Sequence, residues 1–268
     1  MYVVIEDFER GLLMYSVDRV TLDSYQFEEE NNIKKSTAVF QHKETVMTDN
    51  FAIIKDFIQS QWGGQFNSFK DAFYAVEIIG RRKDGATIEA RKFKTYFIKN
   101  IEDLDKYETE IKTICNTLQM RAYISVNNKS WRHVTLNTMA EYADRIAHDN
   151  FDKPQSVFES CVGKFVDRSA QLWIVDVDKD ECDKFECGRD DLISYYRNII
   201  ENECEPKEKV VEIIPTKSGG HIICHPFNVQ KFMQYVRISY DFHKISPCID
   251  AESLIKKNNF TLLYESIK

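Results

Sequence analysis

No stretch of this 268-residue chain approaches the roughly 20 consecutive apolar residues that a membrane-spanning helix needs. That absence argues against a helical membrane protein. The opening "MYVVIEDFERGLL" also lacks the cationic flank and apolar centre of a secretory signal, which points to the cytoplasm. A positive balance of charge is missing too: the net charge is −7, which argues against a surface that coats itself indiscriminately with nucleic acid. Local basic grooves remain compatible with that sum, and "GRRKDG", "EARKFK", "NNKSWRH" and "LIKKNNF" are each basic. The seven cysteines (115, 161, 182, 187, 204, 224 and 248) lack the even count and tight spacing of a disulfide framework and suit reduced thiols. A zinc knuckle is incomplete as well. Cys182 and Cys187 are followed only by Cys204 and then Cys224 or His225, with no compact second pair. Internal repeats and low-complexity tracts are absent. What is present is a globular composition, 43% hydrophobic and 29% charged, in a chain long enough to bury a real core.

Along the chain, three regions separate. Residues 1–70 carry few signals beyond the loop-like "EEENN" and a short helical spacing in "DNFAIIKDFIQSQW". Residues 71–150 read as an α/β subdomain: a hairpin about a Lys-Asp-Gly turn, a strand "TYFI", an acidic helix "NIEDLDKYETEIKTICNTLQ", a strand "RAYISV" and a helix "TLNTMAEYADRIAH". Residues 151–268 order themselves as strand "QLWIVDVD", helix "RDDLISYYRNIIENE", strands "KVVEIIPT" and "GGHIICHPF", helix "NVQKFMQYV" and strand "NFTLLYES". That is βαββαβ, the order of ferredoxin-like and RNA-recognition folds, in which the first and third strands are neighbours and both helices cover one face.

The strand "QLWIVDVDKDE" is unusual because it places carboxylates at Asp176 and Asp178 in an apolar run. Alternation sets Trp173, Val175 and Val177 on one face and Ile174, Asp176 and Asp178 on the other. If His221 of the third strand looks the same way, two carboxylates and an imidazole share the face away from the helices, and such a face calls for a ligand or a covering domain. Carboxylates at i and i+2 suit shared oxygen coordination of Mg²⁺ or Mn²⁺, and such ions suit phosphates. The turn "TKSGG" adds Lys217 as a point charge and Ser218 as a hydroxyl donor, with backbone N–H groups able to cradle phosphate. In "RAYISVNNKSWRH", Arg121, Lys129 and Arg132 with Tyr123 and Trp131 form a candidate site for template phosphates and a stacked base.

An apolar strand ending D-x-D, followed by a strand, turn and strand bearing S-x-x-H (Ser218 and His221), resembles the archaeo-eukaryotic primase, or primase-polymerase, superfamily, including its small phage and plasmid members. The resemblance covers roughly residues 90 to 268. It implies an α+β protein with an RNA-recognition-like βαββαβ catalytic subdomain packed against a smaller α/β unit, acting as a metal-dependent nucleotidyltransferase in replication. By that similarity Asp176, Asp178 and His221 are catalytic, and Asp176 and Asp178 hold Mg²⁺ or Mn²⁺ with a third acid. Asp250 is the leading candidate for that acid, Asp241 and Glu252 its competitors. Lys217, Ser218, His221 and Lys257 would contact a nucleoside triphosphate. The expected partners are that nucleotide and a single-stranded or primed template, with a replicative helicase a further possibility and no membrane. If no third acid reaches the metals, the alternatives are a catalytically degenerate module that binds nucleic acid or protein, or a D-x-D metal nuclease.

Overall fold

The computed structural model describes residues 2–5, 13–16, 46–61, 71–82, 86, 90–164, 171–178, 189–206, 209–243, 254–257 and 260–267. The chain divides into two units, Met1–His42 and Lys43–Lys268. In the first, β1 (Tyr2–Ile5) pairs antiparallel with β2 (Leu13–Ser16). The second is a mixed α+β unit with two antiparallel sheets. It includes β3 (Val46–Asp49) and helix α1 (Phe51–Gln61), both within the region 1–70 that carries few sequence signals.

The larger sheet holds β4 (Ala72–Gly80), β5 (Ala90–Ile98), β6 (Arg121–Ser125) and the two-residue β7 (Lys129–Ser130). Helix α2 (Ile101–Leu118) links β5 to β6. It starts where the Asn100 side chain accepts from the Asp103 amide at 2.8 Å, with Glu102 and Asp103 complementing the positive end of the helix. Helices α3 (Trp131–Ala147) and α4 (Pro154–Lys164) follow. The central strand β4 is buried on both faces. Tyr74, Val76 and Ile78 join a core with α1 and α2, while Phe73 and Ala75 pack with Val134 of α3 and Val157 of α4.

The smaller sheet is built from β8 (Trp173–Val177), helix α5 (Arg189–Asn198) running into a π-helical turn (Ile199–Glu203), β9 (Val210–Pro215), β10 (Gly220–Cys224), helix α6 (Val229–His243) and β11 (Ile255–Lys257). Its strand order is β11-β8-β10-β9, antiparallel throughout. Val175, Val177, Ile222 and Cys224 face a core supplied by α5, the π-helical turn and α6. Ile174, Ile214 and Ile223 point the other way, into the core shared with α1 and the larger sheet.

One expected element sits elsewhere. The segment "NFTLLYES", read from sequence as the last strand of this smaller sheet, is β12 (Phe260–Ile267), and it lies in the larger sheet between β3 and β6. The edge beside β8 is taken instead by β11. The reason lies in burial: consecutive residues Leu262, Leu263 and Tyr264 are all buried, and a strand apolar on both faces belongs at the centre of a covered sheet. Asn50 clamps the two sheets, its amide donating to Pro215 O (2.8 Å) at the end of β9 and to Leu262 O (3.0 Å) on β12.

Candidate functional site

Strands β8 and β10 are in register so that His221 stands directly opposite Asp176. Their side chains meet on the face away from the helices, with His221 Nε2 3.3 Å from Asp176 Oδ1. On its other side His221 Nδ1 lies 2.9 Å from the Thr261 hydroxyl, a fully buried residue of β12, so the imidazole is gripped across the two sheets. Burial opposes charge on Asp176, but the hydrogen bond from His221, its charge and that of Lys256 outweigh it and hold the carboxyl below its ordinary value. Asp178 follows one residue beyond β8 and is exposed at the same mouth.

The turn between β9 and β10 completes this wall. Thr216 N donates to Gly219 O at 3.0 Å, leaving Lys217 and Ser218 at the tip. Gly219 is pressed so close to the end of β8 that an added Cβ would fall 1.7 Å from Val177 O. Only a residue without a side chain permits that approach, and the approach delivers Lys217 and Ser218 to the rim where Asp176 and Asp178 lie.

The opposite wall comes from the larger sheet. In the β4/β6 register Glu77 faces Tyr123 and Ile79 faces Arg121; these four, with Arg81 and with Phe260 and Leu262 of β12, close a cleft of about 570 Å³. Glu77 is ion-paired with Lys92 (2.6 Å), Arg121 with the fully buried Glu265 (3.1 Å), and Arg81 Nη2 donates to the Tyr123 hydroxyl (3.4 Å). The cleft thus sets two carboxylates and an imidazole near a lysine-serine turn, across from two guanidinium groups and two aromatic rings. Hard oxygen donors on one side and fork-shaped cations on the other match a polyanion such as a phosphate chain bridged by a hard divalent cation. The donor set fits such an ion to the extent of two carboxylates, one of them held anionic. Among the described residues no group of three or more His, Cys, Asp or Glu side chains forms a fuller cage.

The structure therefore brings Asp176, Asp178, Lys217, Ser218 and His221 to one cleft, with Arg121 on its far wall. Arg121 is separated there from the two cations grouped with it by sequence. Lys129 does not serve a surface role: it is 1% exposed, its ammonium 6.0 Å from the Phe260 ring centre, and burial lowers its pKa to about 8. Arg132 is exposed at the start of α3 and does not line the cleft. Asp250 and Glu252 lie outside the described residues. Asp241 falls in α6 and Lys257 in β11, opposite Trp173, with their side chains outside the described residues. Lys256, one position earlier, is the β11 cation whose charge reaches Asp176. Of the cysteines, 182, 187 and 248 lie outside the described residues, while Cys115, Cys161, Cys204 and Cys224 are buried free thiols. Sequence reasoning passed over Glu77 and Arg81; a carboxylate inside the apolar run "AVEII" carried the same signal as Asp176. Comparison with protein-family models, with curated proteins and with solved structures finds no match.

Proposed function

We propose that the cleft is the site of a metal-dependent nucleotidyltransferase of the primase-polymerase type, acting on a nucleoside triphosphate and a single-stranded or primed template, and that the smaller sheet is its ferredoxin-like, RNA-recognition-type βαββαβ unit. The element order β8-α5-β9-β10-α6-β11 and the strand order β11-β8-β10-β9 support the second part, because they place the first and third strands side by side at the centre. The observation that carries the first part is the Asp176–His221 pair beside the Lys217-Ser218 turn in one cleft.

Bound at Asp176 and Asp178, Mg²⁺ or Mn²⁺ supplies Lewis-acid stabilisation of phosphate charge and lowers the pKa of an attacking hydroxyl. The chain's own groups do the rest. Lys217 and Ser218 hold phosphate oxygens at the rim, and Arg121, braced by Glu265, offers a fixed guanidinium to the same polyanion. His221, fixed between Thr261 and Asp176, orients the Asp176 carboxylate and keeps it ionised. Tyr123 and Phe260 give apolar faces against which a base can stack.

The test is incorporation of labelled nucleotide on primed and unprimed templates with Mn²⁺. Wild type should extend or initiate strands, and Asp176→Asn/Asp178→Asn should not; equal signals from the two remove the catalytic claim, and shortening of the template in the same assay indicates a nuclease. One observation favours a second reading, a non-catalytic module using the same cleft: the third carboxylate lining it, Glu77, is already engaged by Lys92. In that case nucleotide raises the melting temperature without any metal-dependent turnover.

A further inference from the structure

Strand β12 carries a hydroxyl inside an apolar run. In "NFTLLYES" Thr261 stands between Phe260 and Leu262 and is fully buried, so the strand takes a polar atom out of water at a position where an aliphatic side chain would carry no such cost. β-Branching suits a strand, but Val supplies it equally well, and the hydroxyl is what needs a reason. Leu263, the next residue on the same face, joins Ile174, Ile214 and Ile223 in the core between the sheets, where side chains offer a hydroxyl nothing to bond. Among the described residues the Thr261 side chain makes one hydrogen bond, with His221 Nδ1 at 2.9 Å.

The direction of that bond follows from the far side of the ring. Asp176 is a carboxylate, which accepts and does not donate, so the nitrogen facing it, Nε2 at 3.3 Å, carries the hydrogen. The buried Thr261 hydroxyl has a hydrogen to place, and Nδ1 is the acceptor it reaches. One form of the imidazole meets both demands, with the hydrogen on Nε2 and the lone pair on Nδ1. Each ring nitrogen then has its partner within the chain, and neither is left for a nucleotide phosphate. The His221 side chain is 12% exposed and that of Asp176 33%, so the ring is withdrawn and the carboxylate is the group offered to the cleft. With Oδ1 turned to His221, Oδ2 is the oxygen a ligand meets.

We propose that Thr261 is a positioning residue of the cleft: by donating to Nδ1 it fixes His221 as an Nε2–H donor that aims the Asp176 carboxylate, and His221 acts through Asp176 rather than on the nucleotide. The cation at Asp176 rests on the nucleotidyltransferase reading of the cleft; the state of the ring does not. Hydrogen-bond partners behind a metal-ligating side chain govern about 10–100-fold of metal affinity or activity, and here the outermost partner stands on a strand of the other sheet.

Nitrogen-15 NMR of the full chain, with neither metal nor nucleotide added, tests the ring. Wild type should show His221 protonated at Nε2 and unprotonated but hydrogen-bonded at Nδ1, together with a slowly exchanging Thr261 hydroxyl proton. Thr261→Ser retains the hydroxyl and should retain both signals. Thr261→Val retains the β-branched shape; the folded variant should lose the hydroxyl proton, and its Nδ1 resonance should move. A hydrogen on Nδ1 in wild type, or an Nδ1 resonance that Thr261→Val leaves in place, overturns the proposal. Titration with Mn²⁺ followed by electron paramagnetic resonance tests the consequence: Thr261→Val should bind about 10–100-fold more weakly than wild type, with Thr261→Ser close to wild type. Equal affinities for wild type and Thr261→Val overturn the positioning role. A wild type that binds no Mn²⁺ removes the nucleotidyltransferase reading instead, and the ring signature still decides the role of Thr261.

Discussion

Replacing Gly219 by alanine tests how the cleft is assembled. The new Cβ would sit 1.7 Å from Val177 O, 2.8 Å from Val177 C and 3.2 Å from Asp178 Cα. All three are backbone atoms at the end of β8, so no side chain can swing aside. Restoring an ordinary carbon-to-oxygen contact of about 3.3 Å moves the β9–β10 turn away by about 1.5 Å. Overpacking of this kind costs about 1–3 kcal/mol, and in a unit of this size each kcal/mol lowers Tm by about 2–4 °C. Gly220→Ala is the milder control, since the one close contact of its Cβ is the side-chain end of Ile193 at 2.8 Å, with Ile214 O at an ordinary 3.6 Å, so it should cost less than Gly219→Ala. Urea unfolding of the three proteins measures the difference. The displaced turn also carries Lys217 and Ser218, so any nucleotide-dependent turnover should fall by about 100-fold in Gly219→Ala, the usual penalty for a misplacement near 1 Å. If Gly219→Ala is as stable as Gly220→Ala, the turn does not rest on β8, and the convergence of the S-x-x-H and D-x-D segments on one rim is wrong.

Removing the imidazole in His221→Ala takes away the donor and charge that hold the Asp176 carboxyl low, so carbon-13 NMR should show it titrating higher than in wild type. Because the folded value is depressed, the stability it contributes is present above the unfolded carboxylate value near ~3.9 and is lost as pH falls through the folded value; His221→Ala should flatten that acid limb. Lys129 has the opposite sense, its pKa lowered by burial from 10.5 to about 8, so the unfolded chain binds more protons between those values and stability should rise with pH across that window. The gain is up to about 3 kcal/mol, and Lys129→Met should abolish the rise while stabilising the protein at neutral pH, as thermal melts at several pH values will show. Arg121→Ala leaves the fully buried Glu265 without its guanidinium partner and should cost about 3 kcal/mol in urea unfolding, with Arg121→Ala/Glu265→Leu recovering most of it.

What could be read from the chain alone was whatever local period encodes. Two-residue alternation in "QLWIVDVD" and "GGHIIC" placed Asp176 and His221 on faces away from the helices, and their register makes them neighbours. A turn as compact as "TKSGG" announced a hairpin. Pairing between distant strands has no such local code. Nothing near "NFTLLYES" names β6 and β3 as its partners; its doubly apolar run argues only against the edge position beside β8 and leaves the choice of neighbours to long-range contacts. For the same reason the far wall of the cleft was legible only in part: Arg121 and Tyr123 read as a candidate template site, but nothing local joins them to Glu77, Arg81 and Phe260, which come from other segments of a sheet whose order is set by long-range contacts. Lys129 was misread as a surface cation because its neighbours in "NNKSW" are polar; its burial follows from the pairing of β7 with β4.

The placement of β12 between β3 and β6 bears on how the polypeptide emerges from a ribosome. Until residues 260–267 have been synthesised, β3 has no neighbour and β6 keeps one raw edge, so the larger sheet cannot close while most of its sequence is already outside the exit tunnel. A nascent chain stalled before Phe260 would expose that edge to other nascent chains, and shielding by a holdase until residues 260–267 have emerged would raise the yield of folded protein.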